Sequence, residues 1–134
     1  MGHGRTFFGI SHIGYYIYVV GGVLDNLSSE QRVTEKYHIK QDKWDSKCPE
    51  LPDKYAVGVT TVSVKKRYVY GFGGCDCSLI LSDKLRILCF DTLKAQKWQS
   101  MQMKTKNGYN FGAFVLSVTD IKVDFLLFGG YNKG

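Results

Sequence analysis

Three runs of alternating, largely apolar residues punctuate the chain, and each stops on two adjacent glycines. They are "YIYVV" before Gly21–Gly22, "YVYGF" before Gly73–Gly74 and "DFLLF" before Gly129–Gly130. Within them Tyr18 and Val20, Tyr70 and Phe72, and Leu126 and Phe128 fall on one face at the two-residue period of a β-strand. A glycine pair reaches positive φ at little cost, so each strand is expected to end there in a tight turn. Gly21 and Gly73 are 52 residues apart, and Gly73 and Gly129 are 56 apart. Coincidences at so constant a spacing mark a repeat of about 50 residues.

Aligning the chain on the glycine pairs exposes a second shared feature. Tyr37 precedes Trp44 by seven positions and Phe90 precedes Trp98 by eight, with the short polar stretches "IKQD" and "DTLKAQ" between them reading as turns. Each repeat then parses into four strands. The first is "RTFFGISHI" (5–13), "KYAVGVTTVS" (54–63) or "NFGAFVLSV" (110–118), and the second runs into the glycines. The third carries Tyr37 or Phe90, and the fourth begins at Trp44 or Trp98. No segment has a convincing helical period. The nearest, "SLILSDKLRILCF", has its second half on the third strand of the second repeat.

In the double glycines, the paired aromatic and tryptophan, and the period, the chain resembles the kelch repeats. The resemblance covers essentially its whole length, with Phe90 in place of the usual tyrosine and one extra residue before Trp98. It implies an all-β fold of four-stranded antiparallel blades around a central axis, a β-propeller. One blade would occupy residues 1–52, a second 53–106, and the first two strands of a third 107–134. Propellers close with roughly four to eight blades, so the propeller is incomplete in this chain, and a segment of a longer chain is the favoured explanation. The resemblance further implies that the aromatic–tryptophan pairs pack between blades. The glycine pairs would let backbone pass close at each blade's inner end.

Composition agrees with a globular β protein: 134 residues, 44% hydrophobic, 14% aromatic, with fifteen glycines and only two prolines. The net charge of +6 permits an acidic partner without requiring one. Lysines and arginines are scattered, and the one cluster, Lys65–Lys66–Arg67, falls where a hairpin turn is expected. That leaves nucleic-acid binding the weaker alternative, since a phosphate-binding patch wants more charge and stacking aromatics. Four cysteines at irregular spacing (Cys48, Cys75, Cys77, Cys89) make no disulfide framework, so free thiols in a reducing, cytoplasmic compartment are expected. No run of about 18 apolar residues suggests a membrane span. The apolar first 24 residues are interrupted by Ser11, His12 and glycines, which argues against a signal peptide. "MGHGRT" does match the Met-Gly-x-x-x-Ser/Thr pattern of N-myristoylation.

Catalytic chemistry is sparse. His3, His12 and His38 lie in different segments with no partners at ligand spacing. Cys75, Asp76 and Cys77 could offer half a metal site, but no second pair follows at zinc-finger spacing, and an exposed pair of loop thiols is the expectation. Some kelch propellers are copper oxidases with tyrosine, cysteine and histidine ligands, yet no motif carries those ligands onto positions here. No catalytic, cofactor or metal residues are therefore assigned, and a metal-dependent or oxidase-type enzyme stands as the alternative. The expectation is a non-catalytic scaffold for protein partners, an assembly subunit of cytoskeletal or ciliary kind or a substrate adaptor, completed by further blades from the same or another chain.

By resemblance the partner surface is formed by the loops joining second to third and fourth to first strands. Those loops are 23–33, with Asp25, Asn26, Ser29, Glu30 and Arg32, and 75–84, with Asp76, Ser78, Asp83 and Lys84. The others are 48–54, with Glu50 and Asp53, and 103–109, with Lys104 and Lys106.

Overall fold

A computed structural model of the chain describes residues 2, 4–24, 29–45, 47–82, 84–94, 97–104 and 108–131. Met1, His3, Asp25, Asn26, Asp83 and Lys106 lie outside the described residues. The described structure is all-β. Its strands are β1 (Arg5–Thr6), β2 (Gly9–Ile13), β3 (Tyr16–Val20), β4 (Val23–Leu24), β5 (Thr34–His38), β6 (Lys43–Asp45), β7 (Thr60–Val64), β8 (Tyr68–Phe72), β9 (Leu85–Asp91), β10 (Gln99–Met103), β11 (Tyr109–Val118) and β12 (Val123–Tyr131). No helix among the described residues is long and apolar enough to cross a membrane.

Two antiparallel four-stranded sheets form, in the orders β2-β3-β5-β6 and β7-β8-β9-β10, and β11 pairs with β12. Both expected first strands start later than the sequence suggests. Phe7 takes φ 53, which breaks the extended run, and Arg5–Thr6 pairs instead with Val23–Leu24 beyond the first glycine pair. Residues 54–59 likewise stay irregular, with Gly58 at φ 69, and β7 begins at Thr60.

The glycine pairs do adopt positive φ, 67 and 102 at Gly21–Gly22 and 68 and 103 at Gly73–Gly74. They also permit close backbone approach. A Cβ on Gly21 would sit 2.3 Å from the Ala56 carbonyl oxygen, and one on Gly74 would sit 2.4 Å from that of Tyr55. The third pair differs. Gly129–Gly130 also has positive φ, but β12 runs through it to Tyr131, and a Cβ on Gly129 would meet nothing within 4 Å.

The core lies between the two four-stranded sheets. Ile13, Tyr18 and Val20 of the first meet Val69, Leu88, Phe90 and Trp98 of the second, with Leu51, Ala56 and Val59 of the connection closing the layer. Phe90 packs edge-on to Tyr18 with ring centroids 6.1 Å apart, and Phe90 and Trp98 stack at 5.2 Å. The two-stranded sheet covers the other face of the second sheet, where Phe125 lies 5.0 Å from Tyr70 and 4.9 Å from Phe72.

The expected packing of the aromatic–tryptophan pair between sheets holds for Phe90 and Trp98 only. Tyr37 and Trp44 contact each other at 5.1 Å, but they face away from the second sheet and Trp44 is 38% exposed. Leu126 and Phe128 do share a face, as expected, and it is the face turned away from the second sheet, so both are exposed. The second sheet thus presents one face to the first sheet and the other to β11 and β12.

Candidate partner-binding face

The loops that follow β4, β6 and β8 gather at one end of the sheets, opposite the hairpin turns. Three ties knit them. Leu51 donates its N–H to the Arg32 carbonyl at 2.7 Å, and Arg32 returns Nε and Nη2 to the Leu51 carbonyl at 2.9 and 2.7 Å. Lys54 Nζ reaches Asp76 Oδ2 at 2.8 Å. The Cys77 thiol beside Glu30 holds that carboxyl below its ordinary value, which joins the loop after β4 to the loop after β8.

Of the sequence-predicted residues, Ser29, Arg32, Glu50, Ser78, Lys84 and Lys104 are exposed, while Glu30 and Asp53 are half-buried. Arg32 and Glu50 stand 3.9 Å apart as an open ion pair. Lys84 and Lys104 flank the last register pair of β9 and β10, Leu85 opposite Met103. Asp76 is placed differently. It is buried, and its Oδ1 accepts the N–H groups of Ser78 at 3.0 Å and Ile80 at 2.9 Å, so its carboxylate shapes the loop from within. These bonds and Lys54 keep it below the ordinary carboxylate range despite burial, which pushes the other way.

The thiols also depart from expectation. Cys75 is fully buried in a small cluster with Val23 and Val57, and burial pushes its pKa up to about 11. Cys77 is half-buried. The pair is therefore not an exposed dithiol: β-bridges from Cys75 to Val57 and Leu81 draw the first thiol inward. All four cysteines are free, and among the described residues no group of three or more His, Cys, Asp or Glu side chains could hold a metal ion.

Two buried arginines underpin this face, and the sequence reading passed over both. Arg86 donates Nη1 to the carbonyls of Tyr55 at 2.6 Å and Gly73 at 2.8 Å, and Nε to Asp53 Oδ2 at 3.1 Å. Its Nη2 lies 2.7 Å from Asp53 Oδ1 as an ion pair. Arg5 donates Nη1 to the carbonyls of Gly21 at 3.1 Å and Val33 at 3.0 Å, and its Nη2 pairs with Glu35, which also accepts the Gly2 N–H. Each sheet thus seats a guanidinium on the carbonyl of its first glycine. The two arginines come from different places in the repeat, because the position equivalent to Arg86 in the first sheet is Val33: Gly21 donates to the Val33 carbonyl as Gly73 donates to that of Arg86. The signal available in the sequence was an arginine inside each otherwise apolar strand region.

At the opposite end, the "KKR" turn is a solvated hairpin. Lys65 and Lys66 are exposed at φ 52 and 50, and Arg67 grips Asp91 through two bonds of 2.9 and 2.6 Å.

Four-stranded antiparallel sheets stacked face to face, each with a glycine-terminated second strand, are blades of the β-propeller class. Residues 4–49, which span the first of them, match the family model for the Kelch motif, consistent with the kelch repeats. The second sheet reproduces the strand order, the glycine pair and the aromatic–tryptophan pair of the first. No curated protein matches the chain.

Proposed function

We propose that this chain supplies blades to a kelch propeller that acts as a non-catalytic scaffold, holding protein partners on the face where the loops after β4, β6 and β8 gather. Kelch repeats are used widely for protein–protein interaction. The observation that carries the reading here is the tying of three loops into one rigid rim, from which Arg32, Glu50, Ser29 and Ser78 project exposed. Polar side chains fixed on a rigid scaffold discriminate partners without any reacting group. Both charge signs occur on the rim, so the basic surplus of the chain favours an acidic partner only mildly. The four free thiols suit a cytoplasmic role, as an assembly subunit of cytoskeletal kind or as a substrate adaptor.

The test is site-specific photo-crosslinking in cells, with the crosslinker at Glu50 on the rim and, separately, at Lys66 on the opposite hairpin. A partner captured from Glu50 and lost on Arg32→Glu supports the reading. Equal capture from both positions, or capture from Lys66 alone, overturns it.

A further inference from the structure

The β5–β6 hairpin bounds a cavity of about 400 Å³ on the first blade, at the end opposite the loop rim. Lysines that are scattered in the sequence converge there: Lys36, Lys43 and Lys47 line it together with His38 and Tyr16. Among the described residues Asp45 is the one carboxylate in its wall, which Gln41 and Trp44 complete. Strand register explains the gathering. Tyr16 pairs with His38 and Tyr18 with Lys36, while Lys36 and His38 pair in turn with Asp45 and Lys43, so these side chains share one face. On that face Phe90 covers Tyr18 and Trp98 covers Thr34, and the cavity opens beyond this contact between the two blades.

Half of the wall is already held in place. Lys36 Nζ stands 3.4 Å from Asp45 Oδ2 and 5.5 Å from the centre of the Tyr16 ring. His38 packs edge-on to Tyr16 with ring centroids 4.7 Å apart. The Gln41 N–H lies 3.2 Å from His38 Nδ1, which leaves the ring hydrogen on Nε2 as a donor. Asp45 also accepts the Lys47 N–H at 2.9 Å. Lys43 and Lys47 are exposed, and among the described residues neither ammonium is ion-paired. Three ammonium groups against one carboxylate leave two positive charges uncompensated, with the imidazole left out of the count. The repeat itself does not require this set. By the same register Lys36, His38 and Asp45 correspond to Cys89, Asp91 and Gln99 in the second blade. None of those three is a cation, and Asp91 is held by Arg67.

We propose that this cavity binds the phosphate of an aryl phosphate monoester, its dianion among Lys36, Lys43, Lys47 and His38 and its ring against Tyr16. The inference goes beyond the scaffold reading and uses the end of the blade away from the loop rim. A phosphate monoester carries nearly two negative charges above neutral pH and three acceptor oxygens, which matches the uncompensated charge and the converging donors. A carboxylate or a sulfate ester brings a single charge. The Tyr16 ring gives a flat apolar substituent an offset or edge-on contact beside the anion. The cavity is open on the side of Lys43 and Lys47, so it admits the group either as a free ester or on a phosphotyrosine side chain.

The test is a titration of the whole, nitrogen-15-labelled chain with phenyl phosphate, phenyl sulfate and inorganic phosphate, at about pH 7.5 where the monoester is a dianion. Phenyl phosphate should shift the amides of β5 and β6 and bind about fivefold or more tightly than phenyl sulfate, which has the same ring and one charge fewer. It should bind about threefold or more tightly than inorganic phosphate, which lacks the ring. Lys43→Gln with Lys47→Gln, both exposed and outside the core, should weaken phenyl phosphate about tenfold. Lys65→Gln with Lys66→Gln removes the same charge from another hairpin and should leave the affinity within about twofold. A phosphotyrosine tripeptide separates the sources: affinity equal to or above that of phenyl phosphate assigns a chain-borne group, and a lower one a free ester. Absence of shifts in β5 and β6, no preference over phenyl sulfate or inorganic phosphate, or equal losses in the two lysine pairs overturns the proposal. None of these results bears on crosslinking at Glu50.

Discussion

Trp98 donates its indole N–H to the hydroxyl of Thr34 across the interface between the first two blades, at 3.0 Å and over 64 residues of sequence. Both side chains are buried, Trp98 at 5% exposure and Thr34 at 0%. The bond lets a large apolar ring be buried without stranding its one polar atom. Trp44, its repeat equivalent, is 38% exposed on the outer face of the first blade. The two tryptophans should therefore respond unequally to truncation. Trp98→Ala is expected to cost about 3–5 kcal/mol, as for other buried aromatics. Trp44→Ala is expected to cost below about 1 kcal/mol. Urea unfolding of both variants checks this, and equal losses would show that the blade interface is misassigned.

The hairpin joining β7 to β8 turns through Lys65 and Lys66, both left-handed and neither a glycine. The Arg67 N–H closes this turn on the Val64 carbonyl at 3.1 Å, and turns with both central residues left-handed favour asparagine followed by glycine, because a Cβ in that region crowds the backbone. Among the described residues the side-chain bond these lysines make is a 3.5 Å contact from Lys65 Nζ to the Asp120 carbonyl, at an exposed site. The double variant Lys65→Asn with Lys66→Gly should raise stability by about 1 kcal/mol. The shift in the denaturation midpoint measures it, and a loss of stability would mean that the lysines hold the turn.

Much of this fold was legible because its repeat is written in residues whose physics is local. A glycine pair after an apolar alternation marks a strand end in the two four-stranded sheets, where β3 and β8 both stop at it, although β12 runs through the third pair. What stayed hidden depends on neighbours in space. Tyr37 and Trp44 carry the same signature as Phe90 and Trp98, yet they lie on the face turned away from the second sheet, with Trp44 exposed and Tyr37 half-buried. Arg5 and Arg86 serve one purpose from unrelated positions, so no alignment of the repeats pairs them. The loop residues were legible as polar, but only the fold shows that Asp76 is spent on its own loop while Arg32 and Glu50 are open to solvent.

The burial of Cys75 has a chemical consequence. Thiolate, not thiol, reacts with alkylating agents, and a pKa raised to about 11 leaves little thiolate at pH 8. Cys75 should be alkylated by iodoacetamide only when the protein is unfolded. Cys77 is half-buried and raised chiefly by its contact with Glu30. Glu30→Gln removes the carboxylate and should speed alkylation of Cys77 by roughly a few-fold while leaving Cys75 protected. Mass spectrometry of time points would read both sites, and early labelling of Cys75 in the folded protein would contradict its placement.

Asp91 offers a pH test at the end of the molecule away from the loop rim. Its carboxylate accepts two bonds from Arg67, and the backbone N–H of Leu93 adds a third at 3.1 Å. The Arg67 bonds are the main cause of a pKa lowered to about 2. A carboxyl more acidic in the folded than in the unfolded chain stabilises the fold above its unfolded value, near 4. That contribution is lost as pH falls from about 4 toward about 2, because the folded state then takes up the proton too. In Arg67→Gln the Asp91 midpoint should move up toward 4 without reaching it, since the backbone donors of Leu93 and Lys94 still favour the charged form. Chemical-shift titration of the Asp91 carboxyl carbon follows it directly. An unchanged midpoint would assign the depression to the turn backbone and leave Arg67 a spectator.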